Sequence, residues 1–337
     1  MKNALEYLTG KNVDFTCICG DLIYTYDNAD SQYDQYAQVV DSVTDHAPIF
    51  PTTGNHDCPY PSSTVDFARF KTKTGLAELT NGDGYKYEFS YGNSYAVHKL
   101  TASGGKNFID HFFFLGMKSW SFTDGYSDSD IDWLGEQLEK YDGDRCFIIT
   151  HLFFPYATGT NASTNPKVYG AGNINGVYPS GNWLSDPQLS SLEELRDAYP
   201  NSIWFSGHSH FKWDYQLLYE NENVCPSDDT DRTSALTVHI PSCAYPRGTS
   251  NSNGTGVRVE YATQSEGGIV DVYEDGIEIK GIEFKGNGET NWDTPVLVPV
   301  AQYFLPISAV EGELPEDPEL PPEIDDGWTH VTNAMVI

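Results

Sequence analysis

The sequence predicts a layered α/β fold in which a second sheet packs on the first. Two observations carry that expectation. Over the first two-thirds of the chain, short apolar runs of strand length alternate with segments of helical spacing. After His210 the helical spacing stops and strand patterns follow one another.

The elements follow in order. Leu5 and Leu8 mark a short helix, and Val13 to Cys19 (VDFTCIC) a buried strand ending at Gly20-Asp21. Tyr33, Tyr36, Val40 and Val43 fall at helical spacing. Pro48 to Pro51 is a short strand running into Thr53-Gly54-Asn55-His56-Asp57. Tyr85, Tyr87, Phe89 and Tyr91 alternate, then Gly92-Asn93, then Tyr95 and Val97, which signals a hairpin. Phe112 to Leu115 reads as a core strand. Ile131, Leu134 and Leu138 form a helix behind a Ser/Asp-rich start. Cys146 to Thr150 is a strand ending at His151. A helix starts at Asp186-Pro187, and Ser202 to Phe205 is a strand ending at Gly207-His208-Ser209-His210. Strand patterns then cover Trp213–Tyr219, Leu236–Ile240, Val257–Tyr261, Ile269–Tyr273 and Ile277–Phe284. Asp275-Gly276 is a turn between the last two.

Residues 152–185 are rich in Gly, Asn, Tyr and Thr without a period. A loop of that length in a compact domain is expected to be functional and to select the substrate. Residues 311–326 hold eight acidic residues and four prolines, the composition of a stiff charged linker. Residues 327–337 regain apolar character and read as the stub of a following module or a frayed tail. The main domain is therefore expected to span 1–310.

The chain has 337 residues, 19 Lys plus Arg and 49 Asp plus Glu, for a formal charge of −30. That balance excludes binding a nucleic-acid backbone through a basic surface and disfavours anionic membranes. A phosphate-bearing substrate would need a metal to attract it. No apolar run is long enough for a spanning helix, and no signal peptide follows Met1. The six cysteines are scattered and read as thiols rather than a disulfide framework. Few lysines, many Asn, Tyr, Asp and Thr, and the acidic Pro-rich stretch suit a secreted or wall-attached bacterial protein.

Four polar clusters each follow a core strand: Asp21, Asn55-His56-Asp57, His151 and His208-Ser209-His210. In open α/β sheets the ligand site lies beyond the carboxyl ends of the strands, so these clusters are expected to share one site. Carboxylate oxygen, amide oxygen and imidazole nitrogen together suit Zn, Mn or Fe. His46, His98, His111, His239 and His330 lack such company and read as hydrogen-bonded core or surface residues.

With Gly20-Asp21, Gly54-Asn55-His56-Asp57, His151 and Gly207-His208-Ser209-His210 in order, the chain resembles the calcineurin-like metallophosphoesterase family over about residues 1–285. Ser129–Lys140, Val238–Cys243 and Gly267–Phe284 support the resemblance. It implies a two-sheet αββα sandwich and metal-dependent hydrolysis of a small-molecule or macromolecular phosphate ester. It implies two divalent or trivalent metal ions. Asp21 would bridge them, Asn55, His151 and His208 would complete the second, and His210 would belong to the first. A metal-bound hydroxide would attack phosphorus. His56 would give a proton to the leaving group, with Asp57 orienting it. Gly20-Asp21-Leu22-Ile23-Tyr24 also resembles the purple acid phosphatase pattern, in which that Tyr is a ligand; the alternative is that Tyr24 packs beside the site.

The chain departs from the family in one respect. The Asp-x-His or Asp-x-Gly motif that opens the family is absent, so the first strand is expected to be missing. The rival reading is a catalytically inactive module that keeps the fold for binding.

Overall fold

The computed structural model describes residues 1–60, 64–82, 84–90, 92–121, 124–152, 186–208, 210, 213, 235–243, 247–249, 256–258, 265–284, 295–315 and 332–336. The 152–185 loop lies outside them after Leu152. So do the expected strand at 213–219, apart from Trp213, and most of the acidic stretch.

Helix α1 (Lys2–Thr9) leads into strand β1 (Phe15–Ile18), helix α2 (Ala29–Asp41) and strand β2 (Ile49–Pro51). Helix α3 (Phe67–Thr74) comes next, then β3 (Tyr85–Phe89), β4 (Tyr95–Ser103) and β5 (Lys106–Leu115). Helix α4 (Asp128–Lys140), β6 (Cys146–Thr150), α5 (Asp186–Ala198) and β7 (Ser202–Ser206) continue the alternation. The remaining strands are β8 (Leu236–His239), β9 (Arg247–Thr249), β10 (Gly256–Arg258), β11 (Glu266–Val272), β12 (Ile277–Glu283), β13 (Val296–Leu305), β14 (Val310–Glu311) and β15 (Thr332–Val336).

Two mixed sheets result. The first runs β13-β12-β11-β15-β1-β2 and the second β3-β4-β5-β6-β7-β8, with β14 pairing β5. Within the second sheet β5 to β8 are parallel, and β3, β4 and β5 form antiparallel hairpins. The late strands were expected to form the second sheet. Instead β11, β12 and β13 extend the first, beside β1 and β2. Strand pairing between distant segments leaves no mark on local periodicity.

Side chains alternate between the faces of each strand, and that alternation builds the layers. Phe112 and Phe114 of β5, Phe147 and Ile149 of β6, and Ile203 and Phe205 of β7 face Phe15 and Cys17 of β1 in the core between the sheets. Phe15 meets Phe112 edge to face at 4.8 Å. The intervening residues Phe113, Cys146, Ile148 and Trp204 pack under Ile131, Leu134 and Leu138 of α4 and Leu192 of α5. On the outer side of the first sheet, Ile18, Ile49, Ile269 and Ile282 pack with Leu5 and Leu8 of α1 and Tyr36 of α2. Arg145, at the start of β6, is fully buried. It grips Asp110 of β5 with two bonds of 2.6 and 3.1 Å and donates to the carbonyls of Tyr273 and Ile307, beyond β11 and β13. A bidentate, charge-assisted pair of this kind fixes the two sheets at the end away from the strands' carboxyl termini.

The tail was expected as a stub or frayed end, and the first strand as missing. The structure places Thr332–Val336 inside the first sheet. It runs parallel to β1 (Phe15 beside Ala334, Cys17 beside Val336) and antiparallel to β11 over five residue pairs. The physical reason is the open edge. Strand β1 is buried along its whole length, so unpaired backbone groups on that side would be desolvated without partners. Deleting residues 327–337 should therefore remove both ladders and cost on the order of 3–5 kcal/mol, at about 0.5–1.5 per lost bond. Urea unfolding of the shortened chain checks this; an unchanged midpoint would show that the strand contributes nothing.

Candidate metal centre

The polar clusters do meet at one end of the sheets, beyond the carboxyl ends of β1, β2, β6 and β7. One ligand atom from each of Asp21, His151 and His208 lies within 4.8 Å of the others. His151 Nε2 is 3.0 Å from Asn55 Oδ1, 3.0 Å from His208 Nδ1 and 3.3 Å from Asp21 Oδ2. Oxygen and nitrogen ligands at 2.0–2.2 Å from a shared cation stand roughly 3.0–3.5 Å from one another, so the spacing fits.

Hydrogen bonding fixes which atoms face the centre. The Cys19 carbonyl can only accept, so His151 donates to it from Nδ1 at 2.6 Å. His151 therefore presents Nε2 to a carboxylate oxygen, an amide oxygen and an imidazole nitrogen. A proton, on Nε2 or on His208 Nδ1, or a cation can join them. Without a cation the proton serves. Burial alone would depress His151, but the Asp21 carboxylate and its hydrogen bond hold it above its ordinary value. Burial alone would raise Asp21, but the imidazoles of His151, His56 and His208 hold it below the usual carboxylate range. His208 is pushed well down by burial and by His151, which keeps its nitrogen neutral and able to ligate. A cation binding here would displace the proton from His151. The donor set of one carboxylate, one amide oxygen and two imidazoles fits Zn, Mn or Fe.

The glycines ahead of Asp21 and Asn55 make this closeness possible. Gly20 has φ +90°, and a Cβ on it would lie 2.6 Å from His151 Nδ1 and 2.8 Å from the Gly54 Cα. A Cβ on Gly54 would collide with the Asp21 carboxylate and its backbone nitrogen. The two loops thus approach backbone to backbone, which a side chain forbids.

One sequence expectation needs correction. Asp57 was expected to orient His56. Instead its fully buried carboxylate accepts from the backbone N–H groups of Asp21 (2.9 Å), Leu22 (3.4 Å) and Gly54 (2.8 Å) and from the Tyr33 hydroxyl (3.0 Å). The group that fixes His56 is the Tyr24 carbonyl, which accepts from His56 Nδ1 at 2.6 Å. Tyr24 is 65% exposed and stacks on the His56 imidazole. His98 and His111 are hydrogen-bonded core residues, as the sequence suggested. Both are buried, with Nδ1 atoms 2.7 Å apart, and His111 Nε2 lies 3.2 Å from Asp144.

His56 lies beside the cluster, and its backbone N–H donates to Asp21 Oδ1 at 2.9 Å. His210 is not in the convergent group formed by Asp21, His151 and His208. Tyr33, the Cys19 carbonyl and the Tyr24 carbonyl went unrecognised in the sequence. Two of these act through backbone atoms, which any residue carries. Tyr33 reads as one more apolar position on a helix.

Residues 1–212 match the calcineurin-like phosphoesterase family. The chain belongs to that family. Among solved structures it is similar to a purple acid phosphatase, PPD1, isolated from yellow lupin (Lupinus luteus) seeds. Identity is 12% and the TM-score 0.43, over 88% of this chain and 48% of that one. The chain thus spans about half the length of that phosphatase. No curated protein matches. Among the described residues no helix is long and apolar enough to cross a membrane. In this member of the family, Gly54→Ala should push the two loops apart and lower affinity for Mn²⁺ or Zn²⁺ at least tenfold, with a fall in the unfolding midpoint. Titration calorimetry of the folded variant checks it; an unaltered affinity would mean that the close approach is dispensable.

Proposed function

We propose that this chain hydrolyses phosphate esters with the help of bound metal. The observation that carries the reading is the convergence of Asp21 Oδ2, Asn55 Oδ1 and His208 Nδ1 on His151 Nε2, with His56 tied to the same Asp21. A cation held by these four residues would supply Lewis acidity toward a phosphoryl oxygen and toward water. The chain's own residues do the rest. Asp21 sets the position of the His56 backbone through Oδ1, and the Tyr24 carbonyl sets the ring through Nδ1–H. With Nδ1–H committed, Nε2 is the nitrogen left to carry a proton to the leaving oxygen, and an imidazole is suited to that at neutral pH. Asp57 acts one step back, by holding the Asp21 and Gly54 loops together.

His56→Ala should therefore leave metal affinity almost unchanged. Turnover should fall by about 10²–10⁴-fold for esters with poor leaving groups and much less for activated aryl esters. Steady-state rates across a series of leaving groups test this. A uniform loss across the series would remove His56 from the proton-donor role.

The second metal position, with Asp21 and His210 as its ligands, is the finer part of the proposal. His210 stands outside the convergent group, and this favours weak occupancy. It is also the observation that favours the rival reading, a phosphoesterase fold kept for binding. We expect residues 1–337 to retain one ion per chain through dialysis, to lose the second readily, and to turn over a chromogenic phosphate ester weakly. Metal analysis alongside the rate decides. Two retained ions with full turnover would mean that other residues complete the first position; no retained ion would support the binding module. We further propose that the protein works outside the bacterial cell, on its acidic, lysine-poor composition.

A further inference from the structure

Three aromatic rings stand beside the proposed proton donor. Tyr24 is 65% exposed and Tyr60 73%, and Trp120 is half-buried. Tyr24 stacks on the His56 imidazole at 5.7 Å between centroids, with 14° between planes. Trp120 meets the same imidazole edge to face at 4.5 Å and 76°. Tyr60 then meets Trp120 edge to face at 5.3 Å and 84°. Holding His56 in place accounts for Tyr24 and Trp120 making one contact each. It does not account for Tyr60, nor for the area of Tyr24 left in water. Single exposed aromatics are ordinary on a surface; a contiguous set around one functional imidazole is what marks a ligand site.

We propose that Tyr24, Trp120 and Tyr60 form a subsite for a planar aromatic leaving group, so that the preferred phosphate esters carry an aryl ring or a nucleobase on the departing side. This rests on the proposed function. If His56 protonates the leaving oxygen, the group attached to that oxygen must lie against whatever surrounds His56. Around His56 the rings of Tyr24 and Trp120 are that surface, and Tyr60 extends it outward. Ring faces favour stacking with another ring, and the phenol hydroxyls of Tyr24 and Tyr60 can bond polar atoms on its edge. Aromatic contact also supplies affinity that the field of a chain carrying −30 withholds from a phosphate.

The test uses the full chain loaded with Mn²⁺ and three non-hydrolysable probes in titration calorimetry: methylphosphonate, phenylphosphonate and a methylenephosphonate analogue of adenosine monophosphate. Phenylphosphonate should bind about tenfold more tightly than methylphosphonate. Tyr60→Ala should cut that ratio to about threefold or less and leave methylphosphonate affinity and the unfolding midpoint unchanged, since Tyr60 is largely exposed and does not touch the centre. Tyr60→Phe should keep the ratio. Tighter binding of the adenosine analogue than of phenylphosphonate identifies a nucleobase, and the reverse order a simple aryl group; either supports the subsite. Equal affinity for methyl- and phenylphosphonate, or an unaltered ratio in Tyr60→Ala, overturns the subsite and leaves the phosphoesterase reading intact. Failure of all three probes to bind overturns both.

Discussion

Four donors converge on one buried carboxylate, and the rest of the centre depends on their doing so. Asp57 takes N–H bonds from Asp21 and Leu22 in one loop and from Gly54 in the other, and an O–H bond from Tyr33 of α2. The two loops follow adjacent parallel strands, β1 and β2, so they begin side by side. They still carry free N–H groups where the strands end, and these need an acceptor. Asp57 supplies it. The arrangement has a cost. Burial and the nearby Asp21 carboxylate push Asp57 up to about 7, against the hydrogen bond from the Gly54 N–H. Two carboxylates this close are favourable only with positive charge between the loops and the strands facing them. The imidazoles provide some of it, and a bound cation would provide more.

The parts of this architecture that were legible in the sequence are those set by local rules. Strands β6 and β7 are continuous apolar runs because both their faces are covered. Helix α4 has Ser127 as its N-cap, accepting from the Asp130 N–H at 3.0 Å, which the Ser/Asp-rich start announced. The Asp275-Gly276 turn closes the β11–β12 hairpin, with the Tyr273 N–H donating to the Gly276 carbonyl at 2.8 Å. The four convergent positions were legible because each sits just past such a strand. What was not legible depends on distant partners. Helix α3 is polar on all but one face and buries only Phe70 in its span, so it left no signal. Only Phe112–Leu115 of β5 was legible, because its start is polar at Lys106 and Asn107 and is held by the hairpin with β4. Strand β15 passes for a tail, because nothing local distinguishes a strand that pairs with residues more than three hundred positions away. The role of Asp57 went astray for the same reason. Adjacency of His56 and Asp57 in sequence implies adjacency of side chains only if the backbone turns them together. Here the Asn55–Asp57 turn, a single 3₁₀ turn, sends them to different partners.

The other histidine pair shows what distinguishes a candidate functional cluster from a structural one. His111 donates from Nε2 to the Asp144 carboxylate, so its Nδ1 must accept, and His98 must donate to it. Tyr141 stacks on His111 at 3.9 Å between centroids and closes the pair over. Burial and His111 push His98 down to about 2. The contact between the two Nδ1 atoms needs no added charge, although the buried His98 Nε2 has no partner among the described residues. At His151 a carboxylate oxygen and an amide oxygen also crowd Nε2, and a proton on it or a cation beside it answers them.

Backbone conformation gives a second, independent mark of the same place. Five non-glycine residues among those described have positive φ, and Asp21 (58°), His208 (67°) and His210 (63°) are three of them. For an L-residue other than glycine or asparagine this is uphill, by on the order of 1 kcal/mol or more per residue. Asn12 and Asp45, the other two, are short polar residues of the kind that tolerate it in turns. His208 and His210 are bulkier, though histidine too is found in this region more often than most residues. At Asp21 the strain is held by packing that can be named: Gly20 and Gly54 admit the close approach, and Asp57 clamps the Asp21 amide. A chain selected only to fold would relax these positions, because a glycine at 208 or 210 would remove the strain. Retaining an imidazole at 208 gives up stability in return for a nitrogen atom aimed at the point where Asp21 and His151 converge. That exchange is intelligible if the point is to hold a charged ligand, and it places the strain where the proposed chemistry needs rigid geometry.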